Sequence, residues 1–190
     1  MMRVARMAGL VSLAWLAACG PGAVTTTHFD YNTDFSGSYF RHAAQGRDLR
    51  VVIRGNPTGA PQEEFENAVI AAMQRGYRGA VTNFTTRPSE SARDYYRVVM
   101  LFGGDRFAGG YKLCGDTDNV DLAPAGDGVR LQAAFCIEDK PLTELQIAVN
   151  DLTSPADPRL GRMVSQAVLE LFPEDTRDND GRRGLRLLNP

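Results

Sequence analysis

The chain has 190 residues, of which 43% are hydrophobic and 23% are charged, and its formal net charge is −2. This length fits one domain whose core needs no metal or oligomerisation to be stable. A mildly acidic balance without a basic block argues against a general nucleic-acid binder, so no nucleic-acid partner is expected.

Residues 1–18 have the layout of an export signal. Arg3 and Arg6 precede an uncharged stretch over 7–18, which ends in small residues and Cys19. The apolar stretch is too short for a permanent transmembrane helix before the glycines and proline of 20–22 interrupt it. Removal of this segment takes two arginines and no acids, so the mature chain has a net charge of −4.

The sequence Leu-Ala-Ala-Cys at 16–19 closely resembles the lipobox of bacterial lipoproteins. The resemblance implies that Cys19 receives diacylglycerol, that the signal is cut before it, and that the new amino terminus is acylated. Several acyl chains give an effectively permanent membrane anchor. With Gly20 after the cysteine, the family pattern implies the outer membrane, on the leaflet facing the periplasm. The alternative is an ordinary secretory signal with a chance cysteine.

The segment 19–47 is predicted to be a tether, because it is rich in small and polar residues. Its five aromatic side chains are too many for a solvated linker, so we expect its aromatic part to lie against the domain: Phe29, Tyr31, Phe35, Tyr39 and Phe40. The domain itself is predicted over 48–173, followed by a charged, loose tail over 174–190.

Hydrophobic periodicity predicts the first elements of the domain. A buried strand spans 49–55, and a helix follows over 61–76 with Phe65, Val69, Ala72 and Met73 as its core stripe. Further strands are predicted over 80–86 and 95–103, the latter apolar on both faces and therefore central. The glycine-rich stretch after it has no match to a phosphate-binding loop and is predicted to be a hairpin or loop.

Two cysteines, Cys114 and Cys136, remain for an oxidising periplasm, where an even count favours a disulfide. Alternation predicts strands over 111–114 and 129–137, with both thiols on the more polar face of the sheet. We therefore expect a bridge between strands. The alternative, a redox-active pair, usually has a closer spacing such as C-x-x-C.

A last strand is predicted over 142–151, where apolar and polar residues alternate, and a last helix over 157–171, capped by Asp157. The order predicts an α+β fold, a mainly antiparallel sheet of four to six strands with two helices on one face, that is, a two-layer α/β sandwich. This order is similar to that of small envelope lipoproteins such as the lipopolysaccharide-assembly lipoprotein, and residues 30–40 loosely resemble the start of another uncharacterised lipoprotein family. We expect the second face to be partly open and to carry the predicted disulfide with five polar residues: Arg97, Lys112, Arg130, Gln132 and Glu144.

No catalytic, cofactor or metal motif is found. His28 and His42 are the only histidines, and both precede the predicted domain, where a surface role is favoured over a catalytic one. Asp116 and Asp118 match only the start of a calcium loop, because a valine and an aspartate follow where a ligand and a glycine are needed. Asp178 and Asp180 precede Gly181, but Thr176 stands at the first ligand position and Leu187 stands where the bidentate glutamate belongs.

These observations favour a non-enzymatic, outer-membrane-anchored periplasmic lipoprotein that acts as an adaptor or scaffold for an envelope protein partner. The alternative is a module that binds a small ligand or an envelope glycan through the aromatic segment and the glycine-rich loop. An unrecognised hydrolase is the third hypothesis.

Overall fold

The computed structural model describes residues 23–32, 35–103, 107–122 and 128–173. The predicted signal, Cys19 and the predicted tail lie outside these ranges. Within them the chain forms six strands and four α-helices in this order: β1 Val24–Tyr31, α1 Gly37–Ala44, β2 Asp48–Arg54, α2 Gln62–Gly76, β3 Asn83–Thr85, β4 Tyr96–Phe102, α3 Gly110–Gly115, a 3-10 turn Thr117–Asn119, β5 Val129–Ile137, β6 Lys140–Val149 and α4 Pro158–Leu171. None of the described helices combines the length and apolar character needed to span a membrane.

The strands form one sheet in the order β1-β6-β5-β4-β2-β3. β2 is parallel to both β3 and β4, and the remaining neighbours are antiparallel. The predicted α+β class and two-layer sandwich are therefore confirmed. Because β2, β4 and β6 run in the same direction, the sheet has a carboxyl end, where these three strands finish, and an amino end, where they begin.

The main core lies between one sheet face and the helices α1, α2 and α4. The predicted stripe of α2 is buried there, with Phe65 and Met73 both fully enclosed. On α4, the Asp157 carboxylate accepts a hydrogen bond from the Arg159 backbone amide at 2.9 Å, as the predicted cap requires. Full burial of a large apolar side chain contributes about 1.5–3 kcal/mol, so this layer supplies most of the stability.

The second sheet face is more covered than the sequence predicts. The segment 107–122 packs on it and forms a smaller core: Val99, Leu101, Leu113, Cys114, Val120, Ala134 and Cys136. Gln132, expected on an open face, is fully buried, and its Oε1 accepts a hydrogen bond from the Ala108 amide at 2.6 Å. The prediction of an open face is corrected accordingly, because alternation along strands does not reveal which loop folds back over them.

The predicted strand over 111–114 is wrong, since these residues lie in α3. Gly109 precedes the helix with φ of +78°, which turns the chain sharply before it. The predicted bridge itself is present between Cys114 and Cys136, whose Cα atoms lie 5.7 Å apart. It joins a helix to β5 rather than one strand to another. The guanidinium of Arg97 donates to the Cys114 carbonyl and that of Arg54 to the Thr117 carbonyl, so two arginines of the sheet also hold this segment.

The predicted boundary at residue 48 also differs from the structure. β1 pairs with β6 along the sheet edge, and α1 contributes Phe40, Ala43 and Ala44 to the main core. The aromatic part of the predicted tether thus belongs to the domain. Its strand escapes detection because β1 lies at an edge and has no fully buried residue.

Candidate functional site

A groove of about 210 Å³ lies at the amino end of the sheet, between β1, β6 and α3. It joins the aromatic segment to α3. The alternative hypothesis placed a binding site in the aromatic segment and the glycine-rich loop, and that loop contributes no lining residue among those described. The lining residues come from the end of β1, the start of α3 and the start of β6: Asp30, Tyr31, Asn32, Tyr111, Pro141, Leu142, Thr143 and Glu144.

Two tyrosines flank this groove with their rings largely in solvent. Tyr31 is 51% exposed and Tyr111 is 67% exposed. The pairing of Tyr31 with Thr143 fixes the first ring at the sheet edge, where Phe29 lies 6.0 Å from it between ring centroids and is also exposed. The sequence predicts a strand over 111–114, so the exposure of Tyr111 on a helix is a feature that alternation missed.

Glu144 forms the polar base of the groove. One carboxylate oxygen accepts a hydrogen bond from the Gly110 amide at 2.7 Å, and the other lies 3.2 Å from His28 Nε2. Gly110 must be glycine, because a Cβ atom there would lie 2.0 Å from the Glu144 carboxylate and 2.6 Å from Pro141. Glu144 therefore ties α3 to the sheet, and its side chain keeps only 17% exposure instead of standing on an open face.

The groove presents groups that can bind a ligand. Flat tyrosine rings, a carboxylate and an amide offer stacking surfaces and hydrogen-bonding groups to a ligand. Among the described residues, the side-chain partners of the two histidines are an acid and a phenol: His28 Nε2 lies 3.2 Å from Glu144, and His42 Nε2 lies 3.2 Å from the Tyr95 hydroxyl. In the described ranges, no cluster of three or more histidine, cysteine or acidic side chains could hold a metal ion.

The remaining sequence candidates are distributed as follows. Asp116 is exposed and accepts a hydrogen bond from the Asn119 side chain at 2.6 Å, while Asp118 lies in the 3-10 turn. Lys112 is exposed on α3, and Arg130 is half-buried on β5. The lipidation candidate Cys19 and the pair Asp178 and Asp180 lie outside the described residues.

A second feature adjoins the groove, namely the outer edge of β1. In the described part of the chain, β1 pairs only with β6, which leaves its other edge unpaired over eight residues. The opposite sheet edge, β3, is only three residues long. A long unpaired edge is a template on which an extended peptide can add as a further strand.

No protein-family model and no curated protein matches the chain. Among solved structures, it is similar to the PelC dodecamer from Paraburkholderia phytofirmans, with 10% sequence identity and a TM-score of 0.39, over 80% of this chain and 99% of that one. A variant PelC dodecamer from the same organism gives 12% identity and a TM-score of 0.38, over 80% and 98%. Any functional conclusion therefore depends on the geometry of this chain alone.

Proposed function

We propose that this chain is a lipoprotein anchored through Cys19 in the outer membrane and facing the periplasm, where it acts as a non-enzymatic adaptor for an envelope protein. The single observation that carries the adaptor role is the unpaired edge of β1 with Phe29 and Tyr31 exposed along it. Main-chain hydrogen bonds to that edge would give a peptide partner its affinity, and the adjoining groove would accept one of its side chains.

The short distance between anchor and domain supports the same proposal. Only residues 20–23 separate Cys19 from the first residue of β1. At about 3.5 Å per residue this connection reaches roughly 17 Å, so an acylated Cys19 would keep the sheet close to the bilayer. The disulfide fits the proposed location, because such bonds persist in the periplasm and are rare in the cytosol.

Site-specific crosslinking in cells tests the adaptor role. A photoreactive residue replaces Phe29 on the β1 edge, and the matched control replaces the exposed Ala71 on α2. We expect discrete adducts with an envelope protein from position 29 and none from position 71. Equal labelling at both positions, or no adduct at either, would contradict the proposal. Mass spectrometry of the same extract reports whether Cys19 is acylated.

A second candidate function, the binding of an envelope glycan, is favoured by the groove between Tyr31 and Tyr111. Aromatic rings beside a carboxylate and an amide suit the apolar faces and hydroxyls of a sugar. Tyr31→Ala and Tyr111→Ala should each weaken binding of soluble peptidoglycan or lipopolysaccharide-core fragments by about tenfold, equivalent to about 1.4 kcal/mol. Val81→Ala, which removes an exposed apolar side chain outside the groove, should leave it unchanged. Binding that is insensitive to all three substitutions would refute this function.

A further inference from the structure

A second, strongly basic cleft lies at the amino end of the sheet. It has a volume of about 560 Å³ and is open to solvent. Its lining contains three arginines, one histidine and no acidic residue: Arg41, His42, Gln45, Arg47 and Arg93. This concentration of positive charge is notable in a chain whose net charge is negative. We call this feature the basic cleft.

The fold assembles the basic cleft from three separate segments. Arg41 and His42 lie in the last turn of α1, Arg47 directly precedes β2, and Arg93 lies in the loop before β4. Because β2 and β4 are parallel neighbours, the residues before them meet at the same end of the sheet. The sequence separates these arginines by up to 52 positions, so no local motif could have revealed them.

Arg93 is held in place by specific hydrogen bonds. Its Nε donates to the His42 carbonyl at 2.9 Å, and its NH1 donates to the Tyr95 hydroxyl at 3.1 Å. The same hydroxyl lies 3.2 Å from His42 Nε2. Since a guanidinium carries five N–H donors, Arg93 keeps donors for a ligand while its position is fixed.

The acids next in sequence to Arg47 and Arg93 have their recorded partners outside the cleft. Asp48 accepts hydrogen bonds from the Asn83 side chain at 2.8 Å and the Ser89 amide at 2.7 Å, and these bonds hold the pKa of its carboxyl below the usual value. Asp94 lies 3.9 Å from Arg50. In the described part of the chain, Arg41, Arg47 and Arg93 form no ion pair with a carboxylate.

From this arrangement we infer that the basic cleft binds a phosphate group, presented by a soluble phosphate monoester. Guanidinium groups recognise phosphate and carboxylate by paired N–H donors, and one arginine satisfies one carboxylate. A phosphate dianion has three terminal oxygens and about two negative charges, so it can accept from guanidinium groups on different sides. A cleft lined by three arginines and no acid therefore fits phosphate better than carboxylate.

The position of the cleft favours a soluble phosphate compound over the lipid headgroups of the anchoring membrane. This step rests on the proposed lipidation of Cys19. The chain enters the sheet at Val24, which pairs with Val149 at the carboxyl end. β1 then runs its eight residues, roughly 27 Å at about 3.4 Å each, to the amino end. The basic cleft thus lies at the end of the sheet away from the anchor.

The test uses the full chain in nonionic detergent, with inorganic phosphate and glycerol phosphate as probes and sodium chloride at matched ionic strength as the screening control. We expect a saturable rise in Tm with both phosphate probes and none with chloride. The double variant Arg41→Gln/Arg47→Gln should bind phosphate at least tenfold more weakly. The control Arg87→Gln removes an exposed arginine outside the cleft and should bind within twofold of the wild type.

Three results would overturn the inference. They are the absence of a saturable shift, an equal shift in the double variant, and binding to phosphatidylglycerol vesicles without binding to either soluble probe. Because Arg41 is exposed and Arg47 half-buried, the double variant should keep the wild-type Tm without phosphate, and this value verifies that it folds. Mass spectrometry of Cys19 distinguishes the two proposals. If an unacylated chain binds phosphate, the inference about the basic cleft stands and the proposed lipid anchor is refuted.

Discussion

Removal of the disulfide tests how the second core is held. The double substitution Cys114→Ala/Cys136→Ala deletes a bond that closes a loop with a sequence separation of 22. In the chain-entropy account, a loop of this length makes the unfolded state less favourable by about 3 kcal/mol. Both cysteines are buried, so truncation to alanine also removes packing around each sulfur. We expect the free energy of unfolding to fall by about 3–4 kcal/mol.

Urea unfolding measures this loss directly. With a slope near 2 kcal/mol/M for a domain of this size, the urea midpoint should fall by about 1.5–2 M, and Tm by about 6–16 °C. Wild-type protein reduced under denaturing conditions and refolded in reductant is the matched control, because it keeps both sulfur atoms. The free energy of unfolding of this reduced protein should fall by about 3 kcal/mol, which is the contribution of loop closure alone.

A loss below about 1 kcal/mol in the double variant would refute this reasoning. It would mean that segment 107–122 opens separately from the main core, so that the bond does not restrain the cooperative unfolding unit. Hydrogen exchange distinguishes the two cases, since separate opening would expose the amides of α3 while those of β4 and β5 remain protected. The arginine contacts to the Cys114 and Thr117 carbonyls favour joint unfolding.

Two further predictions concern a glycine and a cap. Gly55 has φ of +79°, and a Cβ there would lie 1.9 Å from the Phe102 carbonyl oxygen, so Gly55→Ala should cost about 3 kcal/mol in urea unfolding. Gly46→Ala, at φ of +69° with open space around it, should cost only about 1–2 kcal/mol, and equal losses would contradict the role of the clash. Asp157 accepts hydrogen bonds from Arg159 that lower the pKa of its carboxyl, so its stabilising effect should be present at neutral pH and lost as the pH falls below about 4. In the Asp157→Asn variant, the free energy of unfolding should fall less steeply as the pH drops below about 4. The same pH dependence in the variant and the wild type would refute this role of Asp157.

The elements with strong periodicity could be predicted from the sequence. β2, β4 and β5, together with α2 and α4, combine long apolar patterns with clear start and stop signals, and the structure has them within a few residues of the predicted bounds. The cysteine count also predicted the correct bridge. These features depend on local pattern or on pairing chemistry, which are both present in the linear sequence.

The parts that could not be predicted depend on contacts between distant segments. Four residues over 111–114 fit a strand pattern equally well, and contacts to distant residues, such as that of the Gly110 amide with Glu144 and the bridge to β5, hold them as a helix. Likewise, the sequence of β1 is polar enough to resemble a linker, because β1 has no buried residue and the buried residues of this strand pair belong to β6. The groove and the basic cleft were missed for the same reason, since each combines residues from several segments.

The placement of these two features follows from the direction of the strands. β1 begins at the carboxyl end, beside Val149, and finishes at the amino end, where Tyr31 enters the groove. The arginines of the basic cleft precede β2 and β4 or end α1, so they lie at that same amino end. If Cys19 is acylated, the carboxyl end faces the bilayer, and a partner arriving from the periplasm meets the amino end first. A tether of four residues is then long enough, because the sheet itself carries the binding surfaces away from the membrane.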